Sequence, residues 1–438
     1  MTEYNNQALT EELIEFIHAS PSRYHAIAEI ARRLDEAGFI RLTENDTWSL
    51  EAGHGYYVIR AQSSLIAFRT PESGKYIGYN ISASHSDSPC FKLKETSECT
   101  RAEYIGVNTE QYGGSILSTW LDRPLSVAGR LVCHTEDGIK THLVNVDRDL
   151  LLIPNVAPHM NRQINAGYEY NLAVDMLPLF GTDKAVGELD RIIAEAAGVD
   201  ADSIIGSDLY LYNRTAASIW GANAEFFSSR SIDDLQCAYT SLRGFISAKP
   251  RENCAVYCCF DNEEVGSATK QGAASTFLYD TLHRIAADDG EEQFRIRLAS
   301  SFLLSCDNAH AIHPNHPEYS DRQNHPVMGG GVVLKFNANQ RYTTDGVSAA
   351  FIDHLCRGNN IPLQHYANRS DIVGGSTLGS IATTRVSVNS ADVGLAQLAM
   401  HSSYETAGVN DNAAMAQLNE AFFSSGLIAE GGNSYRFG

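Results

Sequence analysis

Three times along this chain a strand-like run leads to an acid or a histidine and then gives way to a loop or helix. Lys75–Ser84 delivers His85, Cys254–Phe260 leads into Asp261–Glu264, and Ser301–Ser305 leads to Asp307. A fourth run, Val332–Phe336, precedes the loop Asn337–Asp345 and a helix that starts near Val347. Strand, polar residue, then loop or helix is the pattern of an α/β fold. It predicts a mixed, mostly parallel sheet flanked by helices, with function gathered at the carboxyl ends of the strands.

The rest of the chain divides around that pattern. Residues 9–18 read as a short helix. Ser20 and Pro21 read as the N-cap and first position of a second helix, with Tyr24, Ile27, Ile30 and Leu34 on one face and Gly38 at its end. Tyr56–Arg60 and Leu65–Arg69 read as strands. From 88 to 225 the texture changes to short apolar runs broken by Gly113–Gly114, Arg123–Pro124 and Asp137–Gly138, the last a hairpin turn. This segment reads as a β-rich insertion carrying one amphipathic helix, 186–199. The expected organisation is a first catalytic part at 1–87, an inserted domain at 88–225 and a second catalytic part at 226–438. A chain of 438 residues is long enough for two or three domains.

Composition narrows the function. The net charge of −20 repels phosphate backbones and anionic lipid, so neither nucleic acid nor membrane is an expected partner. Nine cysteines, an odd number with no Cys-x-x-Cys pair, fit a reducing compartment. The N-terminal MTEYNNQALTEELIEF has no apolar signal core, and no run approaches the roughly 20 apolar residues of a membrane span. The expected location is cytoplasmic.

The polar residues at the strand ends suggest metal-assisted hydrolysis. In SASHSDSP, His85 can bind a metal and Asp87 can orient its ring. In FDNEEVGS, one of Glu263 and Glu264 can bind a metal while the other takes a proton from water. A two-metal site is satisfied by two histidines, a bridging Asp and two further carboxylates. His85, Asp233, Glu264, Asp307 and His401 are such a set. Each alone also fits a plainer reading: Asp233 as a helix cap, Glu263–Glu264 as a solvated first turn, His401 as a surface histidine. Spacing does not select these five. His310, His313, His316 and His325 are irregularly spaced, with prolines among them, and read as loop residues.

A resemblance does select them. SASHSDSPCFKLK, SIDDL, CFDNEEVGS, SCDNAHAIHPN, NQRY and VGLAQLAMHSSYETAG are similar, in order, to segments of the M18 metallo-aminopeptidases, the aspartyl aminopeptidase group. The resemblance covers nearly the whole chain and implies a di-zinc exopeptidase fold with an inserted oligomerisation domain. Asp233 would bridge two divalent ions, with zinc the default and cobalt or manganese the alternatives. His85 and Asp307 would complete one site, and Glu264 and His401 the other. Glu263 would be the general base and Asp87 the residue holding His85. A cis peptide is implied at Asp233–Asp234. The resemblance also implies a homo-oligomer, a dodecamer built from dimers. The segment 153–165 would reach toward a neighbouring active site; there His159 reads equally as a site residue or a plain loop histidine.

The implied substrate is a peptide with N-terminal Asp or Glu. Arg341 and Lys335 are the cations available to meet that side chain, and Gly374 and Gly375 could let backbone approach the substrate. Asn339 stands where acid-preferring relatives are expected to carry Lys, which leaves a broad or neutral preference open. The rivals are a related metal-dependent deacylase or carboxypeptidase and a catalytically silent scaffold. Intact ligands and Glu263 argue against silence.

Overall fold

The computed structural model describes residues 2–431 and 434–438, built around two β-sheets. The larger sheet has thirteen strands. At its heart Cys254–Phe260, Tyr79–His85, Phe302–Cys306 and Asn389–Leu398 lie side by side and parallel. Antiparallel neighbours flank them: Ser64–Arg69 and Gly55–Arg60 on one side, Glu405–Gly408, Phe226–Ser229 and Ser218–Trp220 on the other. The sheet is mixed, with helices on both faces.

Alternation along Cys254–Phe260 explains those two helical layers. Ala255, Tyr257 and Cys259 face a core shared with the helices Asn6–Ala19, Arg23–Glu36, Ile232–Ser247, Gly346–Gly358 and Asp411–Phe423. Cys254, Val256, Cys258 and Phe260 face the opposite core, with the helices Phe277–Ile285 and Leu378–Ala382. Adjacent Cys258 and Cys259 therefore sit in different cores, and all nine cysteines are free thiols. None of the described helices is long and apolar enough to cross a membrane.

The N-terminal helices differ from expectation in their boundaries. The first runs from Asn6 to Ala19, with the Asn5 side chain accepting from the Ala8 N–H at 3.0 Å. Ser20 closes this helix by donating its N–H to Ile17, so it does not cap the next one. The second helix begins at Arg23 after Ser22, which leaves Pro21 in the link. Tyr24, Ile27, Ile30 and Leu34 are all buried, as the periodicity requires. Gly38 has a φ of +80°, and the Phe39 N–H reaches back to the Leu34 carbonyl, a glycine-dependent helix end.

The smaller sheet is antiparallel. Its order is Gly138–Asn145, Leu125–Thr135, Ile204–Asn213, Cys90–Arg101, Tyr104–Tyr112 and Leu179–Thr182. The hairpin pairs Thr135 with Gly138, so its two loop residues are Glu136 and Asp137, one place earlier than expected. The helix Glu188–Ala197 buries Leu189 and Ile193 in this sheet's own core. Polar bonds join the two sheets: Arg130 donates to the Ala61 carbonyl at 2.9 Å, and Gln62 donates to Thr141 at 2.8 Å.

Candidate metal centre

Parallel register brings three strand ends to one edge. Phe260 pairs with His85, the last residue of its strand, and Asp307 follows directly after Phe302–Cys306. Beyond Phe260 the chain makes a single tight turn, Glu263–Val265, between left-handed Asn262 and Gly266. Two other elements reach the same place. Asp233 and Asp234 open the helix Ile232–Ser247 with non-helical dihedrals, and the peptide between them is cis. His401, at a φ of +68°, lies in the turn before Glu405–Gly408.

These segments converge on Asp233. Its Oδ1 lies 3.6 Å from His85 Nε2, and its Oδ2 lies 3.3 Å from His401 Nε2. Glu264 Oε2 is 3.4 Å from the same His401 nitrogen. Potential ligand atoms of His85, Asp233, Asp234 and Asp307 all lie within 4.8 Å of one another; so do those of Asp233, Glu264 and His401, and those of His85, Glu263 and Glu264. All five expected ligands, with Glu263, are thus brought together.

Neighbouring groups fix both imidazoles. His85 Nδ1 lies 3.0 Å from the Asp87 carbonyl, and His401 Nδ1 lies 2.8 Å from the Gly114 carbonyl. A carbonyl only accepts, so Nδ1 carries the proton and Nε2 is the atom aimed at the acids. Glu405, fully buried, accepts the N–H groups of Asp233 at 3.0 Å and His401 at 2.8 Å. Asp234 accepts the His85 N–H at 3.0 Å. Asp87 accepts from the N–H of Glu263 at 3.1 Å and of Glu264 at 3.2 Å. Sequence reasoning did not single out Asp234 or Glu405. Glu405 lies four residues after His401, but nothing in that spacing separates a bracing acid from a solvated one.

The pocket is strongly acidic. Burial pushes the Glu263 carboxyl up to about 8, with Asp307, Asp87 and Asp233 adding to the shift and His85 opposing it. Burial also raises Glu264, with Asp233 adding to it. Asp307 is raised by burial against the opposing pull of Lys335. Burial alone would lower His401, yet Asp233 and Glu264 push it up to about 10. For Asp87, burial is outweighed by His85, Arg23 and Tyr112, and the carboxyl sits at about 2.

This donor set fits a dication. Two donors each about 2.1 Å from a tetrahedral ion lie roughly 3.4 Å apart, close to the spacings around Asp233. Buried Asp233 Oδ1 and Glu264 Oε1 have no hydrogen-bond partner among the described residues. Each Nε2 facing a carboxylate needs a proton or a cation between them; the acids that raise both histidines supply the negative charge that a dication in the proton's place would meet.

A family model described as aminopeptidase I zinc metalloprotease (M18) matches residues 16–423. The chain belongs to the M18 family. As an M18 member it is a zinc metallo-aminopeptidase, a hydrolase acting on peptide N-termini. It is 42% identical to a probable M18 family aminopeptidase 2 of Clostridium acetobutylicum, over 96% of this chain and 99% of the relative. It is 37% identical to the protein of the same name from Pseudomonas paraeruginosa, over 95% and 98%. Among solved structures, the cryo-EM structure of the Ape4 and Nbr1 complex superposes with a TM-score of 0.93 at 32% identity, covering 95% of this chain and 86% of that one. The S. cerevisiae mApe1 dodecamer gives 0.85 at 27% identity, covering 96% and 97%.

The residues suggested for substrate binding stand in varied surroundings. Lys335 is buried and donates to the carbonyls of Asp307 at 2.6 Å and Asn308 at 3.0 Å, so this M18 chain uses it to hold the Asp307 turn. Arg341 is half-buried and forms no ion pair among the described residues. His159 and Asn339 are exposed. A side chain at Gly374 would strike Asn368, whereas Gly375 faces open space. His310, His313, His316 and His325 belong to none of the metal-competent groups among the described residues.

Proposed function

We propose that the chain is a two-metal aminopeptidase in which Asp233, aimed at both imidazoles, would be shared by two zinc ions. His85 and Asp307 complete one site, and Glu264 and His401 complete the other. The observation that carries this reading is the split aim of Asp233, one oxygen toward each imidazole, at 3.6 and 3.3 Å. When bound, zinc in this pocket would polarise the scissile carbonyl and make water a nucleophile at neutral pH.

The chain's own residues do the rest. Glu263 takes the proton from the attacking water and passes it to the leaving amine. Its carboxyl makes no hydrogen bond among the described residues and is free for that task. Asp87 anchors the turn that carries Glu263, and its carbonyl fixes the His85 tautomer. Asp234 and Glu405 hold the backbone of His85, Asp233 and His401.

We read residues 1–87 and 226–438 as the catalytic domain and 88–225 as an inserted domain that makes subunit contacts. The mApe1 dodecamer, together with the exposed Val156, Met160, Leu172 and Val174, supports a homo-oligomer of dodecameric type. The substrate is a peptide with N-terminal Asp or Glu, met by Arg341, with Gly374, Gly375 and His159 at the edge of the pocket. The exposed Asn339 keeps a broader preference as the second reading.

The test is hydrolysis of N-terminal Glu, Asp, Leu and Lys amides, with and without chelator and with zinc, cobalt or manganese added back. Chelator-sensitive release, fastest from Glu and Asp, is expected. Equal release from all four favours the broader preference, and none with any metal sinks the assignment.

A further inference from the structure

The metal centre is built on the larger sheet, yet one segment of the smaller sheet lies against it. Tyr112 ends the strand Tyr104–Tyr112, and Gly113 to Thr119 follow. Gly113, at a φ of +70°, passes so close that an added Cβ would lie 3.2 Å from the Glu264 Cβ. The Gly114 carbonyl takes His401 Nδ1, Ile116 donates its N–H to the His401 carbonyl at 3.0 Å, and Thr119 accepts the Ser403 N–H at 2.9 Å.

The Tyr112 hydroxyl adds two hydrogen bonds to these contacts. It lies 2.7 Å from Asp87 Oδ2 and 3.0 Å from Asn262 Nδ2. Asn262 Oδ1 accepts from Thr269 and Gln271, each at 2.9 Å, which assigns its amide nitrogen to Tyr112. An amide nitrogen only donates, so the hydroxyl proton must point onward to Asp87. The ring is held as well: the Arg23 guanidinium lies 3.9 Å from its centroid while pairing with Asp261 at 3.0 Å. Asp87 in turn carries the N–H groups of Glu263 and Glu264.

We infer that Tyr112 is a positioning residue for the reaction. Its hydroxyl locks the Asp87 carboxylate onto the turn that presents Glu263 and Glu264, and so ties the smaller sheet to the proton-transfer group. This rests on the roles given above to Glu263 and Glu264. A hydroxyl that merely fills space predicts no kinetic signature. A positioning hydroxyl predicts a loss in kcat with KM kept, because the substrate is bound elsewhere.

The test is Tyr112→Phe, which keeps the ring beside Arg23, compared with Asp87→Asn and the double variant. Melting temperature, subunit assembly and bound zinc per chain are measured beside kinetics, and zinc release to a chelator is followed separately. We expect kcat to fall about tenfold or more with KM within about twofold, and zinc to leave several-fold faster from the loosened Glu264 turn. The double variant should be no slower than Asp87→Asn, since both changes break one chain of contacts. Wild-type kcat and zinc release in Tyr112→Phe would overturn the inference, and so would losses that multiply in the double variant. If the wild-type protein binds zinc but hydrolyses no amide, the reading of the site fails instead.

Discussion

Glu263 stands out at the scale of single residues because its carboxyl makes no hydrogen bond among the described residues, while Asp233, Asp234, Glu264 and Glu405 are each aimed at an imidazole or a backbone N–H. Glu263→Gln should cut turnover by roughly 10²–10⁴-fold, the usual worth of a general base. Bound zinc should stay at the wild-type level, because Glu264 and not Glu263 is the proposed ligand. Substantial turnover in that variant would remove Glu263 from the mechanism. His85, Asp307 and the Glu263–Glu264 pair were legible because each comes within a few residues of the end of a run that reads as a strand. Asp233 and His401 became legible only through resemblance, since the strands before them, Phe226–Ser229 and Asn389–Leu398, were not read from the sequence. Tyr112 was not legible at all: its partners Asp87 and Asn262 come from another sheet, and a tyrosine ending a strand looks like ordinary core.

Among the elements, the strand Asn389–Leu398 sets the place of Asp307. Its Gly394 lies against that turn so closely that an added Cβ would sit 2.0 Å from the Asp307 carbonyl oxygen. The same oxygen accepts from Lys335, so it has little room to retreat. Gly394→Ala should cost about 1–3 kcal/mol in overpacking and weaken zinc binding with it, read by melting temperature and zinc titration. An unchanged zinc affinity would show that the turn yields freely. The N-terminal helix Arg23–Glu36 gives a pH signature. Burial and the nearby Arg230 lower His25 from 6.5 to about 4. Between those values the unfolded chain binds a proton that the folded ring refuses, so this contribution to stability falls as pH drops through the window. The urea midpoint should therefore drop less between pH 7 and pH 4.5 in His25→Gln than in the wild type. Element types were legible from periodicity, and Cys254–Phe260 and Val332–Phe336 were legible to the residue. The helix starts were not, because Ser20 and Ser22 are equally good caps and only packing decides between them.

For the whole molecule, the crowding of buried acids predicts that stability depends on a bound cation. Asp87, Asp233, Asp234, Glu264, Asp307 and Glu405 crowd around two histidines and Lys335. Stripping the metal should lower the melting temperature, and zinc should restore it. A ligand at about a thousand times its Kd adds roughly 4 kcal/mol. A melting temperature indifferent to chelator would argue that protons alone satisfy the pocket. The large sheet also carries a consequence for the chain's synthesis. Tyr79–His85 lies at its centre, yet both of its neighbours are encoded far downstream. At about 5–20 residues per second, the roughly 170 residues from His85 to Cys254 occupy the ribosome for on the order of ten to thirty seconds. Throughout that interval a strand that is buried along its whole length in the finished fold waits with both edges bare, a template for mispairing with any other nascent chain. His401 is the last of the proposed metal ligands to be made, so the growing polypeptide cannot complete the metal centre, or digest its neighbours, before that residue emerges.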